Sequence, residues 1–116
     1  MPIIPASFTS ADELAAREGR TLVYKHSPTC ELCGWSNHVL GKMAAQDDVT
    51  LELVDVFAQR PLSQAIAAHF GVRHESPQVL VIEDGQVVWH ASHRGVAPDR
   101  VRAALAGSDA GLGARF

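Results

Sequence analysis

RTLVYKHSPTCELC, residues 20–33, runs from an apolar stretch straight into two cysteines at CxxC spacing, and these are the only cysteines among 116 residues. Leu22, Val23 and Tyr24 make a short, partly β-branched run of the kind a buried strand shows, and Ser27 with Pro28 ends it. From Cys30 the period changes. Leu32, Trp35, Val39, Leu40 and Met43 recur at helical spacing as far as about Gln46. The cysteines therefore open a helix directly behind a buried strand.

Working outward, TSADELAAREG reads as a short helix, with Ser10 as its cap, Glu13 completing a capping-box spacing and Gly19 as its stop. Past the CxxC helix, VTLELVDVF (Val49 to Phe57) alternates apolar and polar residues as a second strand. RPLSQAIAAHFG places Pro61 in an opening turn, Leu62, Ile66, Ala67 and Phe70 on one face and Gly71 at the stop, which predicts a helix. Val79 to Ile82 and Val87 to His90 form a hairpin about an Asp84-Gly85 turn, and a last helix runs from about Pro98 to Ala106. No internal repeat and no dividing linker is present. The chain reads as one domain, residues 1–106, with a glycine-rich, aperiodic tail at 107–116.

Strand, CxxC helix and second strand form a βαβ unit whose right-handed crossover requires a parallel pair, and the hairpin adds antiparallel strands beside it. The expected fold is thus α/β and thioredoxin-like, a central mixed four-stranded sheet flanked by helices.

Composition narrows the function. With 47% hydrophobic and 20% charged residues the chain suits one globular core. A net charge of −3 with scattered basic residues leaves no footprint for nucleic acid. MPIIPASFTS has no basic leader and is broken by two prolines, and no apolar run approaches the roughly 20 residues that cross a bilayer. The expectation is a cytoplasmic protein with no membrane or nucleic-acid partner. In a reducing compartment a close cysteine pair is more often catalytic or metal-binding than a structural staple.

Thiol chemistry needs a thiolate, and Cys30 lies where unpaired helix N–H groups and the helix dipole favour negative charge. Cys33, one turn on, is expected to be more buried, yet about 5 to 6 Å away and so within disulfide range. Attack is assigned to Cys30 and resolution to Cys33. His26 and Lys25 add positive charge nearby, whereas Glu31 opposes it. Ser76-Pro77, directly before a buried strand, is where thioredoxin-like folds put a cis-proline facing the nucleophile, leaving the backbone of Ser76 to pair with an extended substrate.

Other readings stay open from these residues alone. A closed zinc site needs four ligands, and here one CxxC has only His90 and His93 far downstream. Two inert core thiols are the plainest alternative. His26 reads equally as a solvated strand end or as a partner of the thiol. His38, His69, His90 and His93 read as surface residues, Trp35 and Trp89 as core. No carboxylate pair suited to hydrolysis stands out.

The phrases YKHSPTCELC and HESPQVLVIEDGQVVWHASH resemble those of the bacilliredoxin-like proteins of the bacillithiol system, and the order of elements matches up to about Leu105. The resemblance implies a thioredoxin-like fold and a thiol-disulfide oxidoreductase that removes bacillithiol from protein mixed disulfides. By that resemblance Cys30 attacks, Pro77 is the cis-proline, and His26, Pro28, Thr29, Ser76 and Pro77 form the substrate side. The implied partners are bacillithiolated client proteins and bacillithiol itself, with no cofactor and no metal. One departure stands out: the monothiol branch usually lacks a cysteine at the position of Cys33, so that either Cys33 or a second bacillithiol clears the enzyme adduct. The chain also lacks the Trp-Cys-Gly-Pro-Cys site of ordinary thioredoxin and the buried acid that thioredoxin keeps where TLVY stands. A general protein disulfide reductase, or a noncatalytic thioredoxin-like or metal-holding module, are the alternatives.

Overall fold

The computed structural model describes residues 2–107; residues 108–116, which hold most of the expected tail, lie outside the described residues. The elements follow as β1 (Ile3–Pro5), α1 (Ala11–Ala15), β2 (Arg20–His26), α2 (Glu31–Asp47), β3 (Leu51–Asp55), α3 (Arg60–Phe70), β4 (Gln78–Glu83), β5 (Gln86–Ser92) and α4 (Pro98–Leu105), with a 3-10 turn at His93–Val96 between β5 and α4. The sheet order is β1-β3-β2-β4-β5. β2 runs parallel to β3 and antiparallel to β4, and β4 and β5 form the hairpin.

The sheet has five strands, one more than the sequence reading gives. The extra strand is β1, parallel to β3 with Ile3 opposite Leu51. Three residues ending in a proline show no period, and a proline is tolerated there because β1 lies at the sheet edge, where an N–H can face outward. Leu51 N–H donates to Pro2 O at 2.8 Å and Ala6 N–H to Leu53 O at 2.9 Å, so the segment is hydrogen-bonded beyond both of its ends. Behind it Arg17 and Ser7 close on Glu52, with Arg17 Nη1 2.6 Å from its Oε2.

Because β2 and β4 are central and side chains alternate across a strand, each feeds two cores. Leu22, Tyr24, Val79 and Val81 pack with Leu40, Met43, Trp89 and Val101 under α2 and α4. Val23, Leu80 and Ile82 pack with Phe8, Leu14, Leu62 and Ile66 under α1 and α3. The hairpin turn takes Asp84 and Gly85 at φ 50° and 81°, the pair of positive values a two-residue turn requires. Gly85 is further constrained by position, since a Cβ there would stand 2.3 Å from Ala15 O. Asp84 also ties the turn back to Gly19, whose N–H donates to Asp84 Oδ1 at 2.7 Å. The result is a rigid platform with the β2–α2 junction and the α3–β4 loop at one end of the sheet.

Candidate functional site

Cys30 is the N-cap of α2, at φ −93° and ψ 123°, and has no side-chain capping bond. The chain turns into the helix through Ser27: Cys30 N–H donates to Ser27 O at 3.3 Å, and Ser27 Oγ lies 3.1 Å from Thr29 Oγ1. A serine can close such a turn because its hydroxyl competes for nearby backbone groups. Pro28 and Thr29 remain exposed on the rim and Cys30 is half-buried. Its Sγ lies 4.0 Å from the carbonyl oxygen of Ser76, and the Ser76-Pro77 bond is cis. Two segments 46 residues apart in sequence thus meet at one sulfur.

The α3–β4 loop is braced from beneath by Gln78, which is buried as the first residue of β4. Its Nε2 donates to Arg73 O at 2.8 Å and to Ser92 Oγ at 3.0 Å. His93 N–H donates to Pro77 O at 2.8 Å. The Ser76 carbonyl is therefore held against Cys30 by bonds that reach both β4 and the end of β5.

Cys33 differs from Cys30 in burial and in its place on the helix. It is fully buried inside the first turn of α2, and Ser27 N–H points at its Sγ from 3.4 Å. Burial pushes its thiol up from 9.0 to about 11, only partly opposed by that N–H, and neighbouring Cys30 pushes the same way. At neutral pH Cys33 is a thiol rather than a thiolate. Both cysteines are free.

Behind Cys33 lies a polar chain that the sequence reading leaves out. Tyr24 Oη bonds Ser36 Oγ at 2.7 Å and His26 Nδ1 at 3.2 Å, and Ser36 Oγ donates to Cys33 O at 3.1 Å. Tyr24 is fully buried, which pushes its phenol up to about 12. His26 is half-buried with its ring 5.7 Å from that of Tyr24, and burial lowers its pKa although Asp55 pulls the other way. The structure thus places His26 on Tyr24, at the base of the site. Tyr24 stands in TLVY, so the polar groups packed behind the second thiol are the hydroxyls of Tyr24 and Ser36. The signal was available: a tyrosine in a doubly covered strand needs a hydroxyl partner, and Ser36 sits on the apolar face of the CxxC helix.

Lys25 lies on the opposite face of β2. It has no solvent exposure, its Nζ donates to Ser63 O at 3.0 Å, and His74 Nδ1 stands 3.5 Å away. Its charge therefore reaches α3 rather than the thiols, against the sequence expectation that it adds positive charge beside Cys30. Ser63 and His74 also carry no sequence signal that marks them. Among the described residues no group of three or more His, Cys, Asp or Glu side chains is placed to hold a metal ion, and no helix is long and apolar enough to cross a membrane.

Comparison with known proteins bears on the family and the fold. A family model described as "Monothiol bacilliredoxin BrxC" matches residues 7–101. Among solved structures, a thioredoxin-fold protein named as an oxidoreductase candidate superposes with a TM-score of 0.78 at 26% identity, covering 89% of this chain and 92% of that one. A thioredoxin variant from Halobacterium salinarum NRC-1 gives 0.65 at 21% identity, with 91% and 88% covered. Thioredoxin from Malassezia sympodialis gives 0.65 at 21%, with 92% and 90% covered. The last two establish the shared fold.

Proposed function

Because this chain belongs to the monothiol bacilliredoxin family, we propose that it removes bacillithiol from protein mixed disulfides through Cys30 alone. The Cys30 thiolate attacks the bacillithiol sulfur of the client's mixed disulfide. That S–S bond breaks, the client leaves as its thiolate and takes a proton from solvent, and a Cys30–bacillithiol disulfide remains. A second bacillithiol, as thiolate, attacks the bacillithiol sulfur of that adduct. Bacillithiol disulfide departs and the Cys30 thiolate is restored, so oxidation has passed from client to bacillithiol. Cytoplasmic work is part of this reading, since a bacillithiol pool belongs to a reducing compartment.

The observation that carries the proposal is the contrast between the two thiols. Cys30 is half-exposed at a helix N-terminus beside the Ser76 carbonyl. Cys33 is buried and held protonated by its surroundings, so it is a poor attacker of an adduct at neutral pH. Ser76, Pro77, Pro28 and Thr29 form the rim on which the client disulfide is laid, and His26 lies on Tyr24 at the base of the site.

The test is turnover of one client protein capped with bacillithiol or with glutathione, with bacillithiol as the reductant. Wild type should prefer the bacillithiol cap, Cys30→Ser should lose activity to background, and Cys33→Ser should keep the wild-type rate. A large loss in Cys33→Ser would show instead that the adduct is resolved internally, as in a general dithiol reductase.

A further inference from the structure

Lys25 and Gln78 stand directly opposite each other, on β2 and β4, in the register of that antiparallel pair. Residues so paired share one face of a sheet, and both side chains are buried there. Each departs from the rule that buried polar groups are fully matched. Lys25 is a buried cation with no ion pair among the described residues, its Nζ donating to Ser63 O at 3.0 Å and standing 3.5 Å from His74 Nδ1. Gln78 donates twice through Nε2, while its Oε1 is buried without a hydrogen-bond partner among the described residues. Both conditions are unfavourable, and apolar side chains of similar volume avoid them.

The two residues meet on one loop, the segment between α3 and β4. His74, two residues before Ser76, faces Lys25 from β2 and Ser63 from α3, with its Nδ1 3.2 Å from Ser63 Oγ. Arg73 O accepts from Gln78 Nε2 at 2.8 Å, and the same nitrogen reaches Ser92 Oγ at the end of β5 at 3.0 Å. Beyond Ser76, His93 N–H donates to Pro77 O at 2.8 Å. Between these anchors Ser76 presents its carbonyl 4.0 Å from Cys30 Sγ. Two unfavourable burials on the central strands thus converge on the loop that faces the nucleophile, and a fold departs from its own rules chiefly where function requires it.

Resting on the reading that Cys30 exchanges disulfides, we propose that Lys25 and Gln78 are positioning residues. Together they fix His74 and Arg73 from beneath, and so set the place of the Ser76 backbone beside Cys30, where an extended client is received. Neither touches the substrate or the sulfur. The Lys25 ammonium lies on the α3 side of the sheet, so its effect on exchange runs through the loop and not through its charge on the thiolate. Because the loop meets a client by its backbone, the pair matters for peptide disulfides and little for a small disulfide that has no backbone.

The experiment compares two disulfides with the same cap: a peptide whose single cysteine carries cysteamine, and cystamine. In both, the Cys30 thiolate attacks the cysteamine sulfur, the S–S bond breaks, and the other half leaves as a thiolate. Lys25→Met should lower kcat/KM for the peptide about tenfold more than for cystamine, the scale of displacing a reacting group by part of an ångström. Its unfolding midpoint at pH 7 should be no lower than that of wild type, and iodoacetamide should alkylate its Cys30 at the wild-type rate. Gln78→Met should show the same preference, and since both residues hold one loop, the double variant should lose little more than either alone. Equal losses on peptide and cystamine, no loss, or slowed alkylation would overturn the assignment, the last by showing that Lys25 acts through charge. Losses that multiply in the double variant would overturn it too. If Gln78→Met fails to fold, the backbone NMR signals of Glu75 and Ser76 in Lys25→Met decide: shifted while α2 is unchanged, they support the clamp, and unshifted they refute it. The cap is cysteamine throughout, so a wild type without preference for bacillithiol would remove the functional reading and leave these ratios standing.

Discussion

Tyr24 and Lys25 are neighbours on one central strand, both without solvent exposure, and the two faces of β2 solve the burial of a polar tip in opposite ways. On the thiol face the tip is a neutral phenol held between Ser36 and His26, with the buried thiol of Cys33 beyond. On the other face it is an amine with a backbone carbonyl and an imidazole for partners and no carboxylate bonded to it. Uncharged groups can be buried cheaply once hydrogen-bonded, whereas a buried cation without an anion is disfavoured and its pKa falls. Lys25 is lowered from 10.5 to about 8 by burial, while Cys33 and Tyr24 are raised to about 11 and about 12, also chiefly by burial. The same physical cause therefore gives the two faces opposite responses to pH.

The largest expected effect is on the lysine face. Between about pH 8 and 10.5 the unfolded chain keeps the Lys25 proton and the folded chain has lost it, so the unfolded state binds more protons and stability rises with pH. The contribution is fully present above 10.5 and lost as pH falls through 8. Its size is on the order of 3 kcal/mol, from the shift multiplied by the free energy of one pKa unit. Lys25→Met keeps the length of the side chain and removes the charge, so it should be as stable as wild type or more so at pH 7, and its urea midpoint should lack the rise. A rise of equal size in the variant would mean that Lys25 is hydrated in solution, and the contrast between faces would vanish.

On the thiol face the sign reverses. Cys33 keeps its proton in the folded chain between 9.0 and about 11 while the unfolded chain loses it, so stability falls across that window. Cys33→Ala should flatten this fall, by about 3 kcal/mol on the same conversion, with Cys30 alkylated in both proteins so that only one thiol titrates. Tyr24→Phe has a smaller effect at neutral pH. Ser36 keeps its bond to Cys33 O, but it and His26 lose a partner, and about 1 kcal/mol of stability should go with the hydroxyl. Unfolding midpoints at pH 7 measure this loss, and an unchanged midpoint would show that water replaces the phenol.

How much of this contrast could be read in advance follows from where each residue's partners lie. The strand, the CxxC helix, the Ser-Pro loop and the hairpin are local patterns, so their places were legible in TLVY, PTCELC, ESPQ and EDGQ. β1 was not, because three residues carry no period and its existence depends on pairing with β3, some 48 residues away. Lys25 read as a source of charge near the thiol because lysine is rarely buried. Only the sheet order, with β2 flanked by β3 and β4 and covered by helices on both faces, forces it inside. Alternation held the clue: once Tyr24 is assigned to the α2 side, Lys25 must point toward α3. His74 and Ser63 come from a loop and a helix whose meeting is purely tertiary.

The smallest expected effect tests whether the lysine face reaches the active-site loop. His74 lies two residues before Ser76, and although much of its side chain is exposed, its Nδ1 is turned inward, 3.2 Å from Ser63 Oγ and 3.5 Å from Lys25 Nζ. To accept from either, the ring must be neutral at Nδ1. Burial lowers its pKa, and the positive charges of Lys25 on β2 and Arg60 on α3 lower it further. A depressed histidine contributes stability that is present above 6.5 and lost as pH falls through its folded value. His26 is lowered too and has the same sign, although there Asp55 opposes the shift. His74→Asn keeps an acceptor and cannot titrate. The urea midpoint of that variant should fall less steeply than wild type between pH 7 and 5. The acid decline in disulfide exchange should also soften, because protonated His74 is driven from Lys25 and takes the Ser76 carbonyl from Cys30. If stability flattens while exchange does not, Lys25 and His74 form a packing contact alone, and the two faces of β2 act independently.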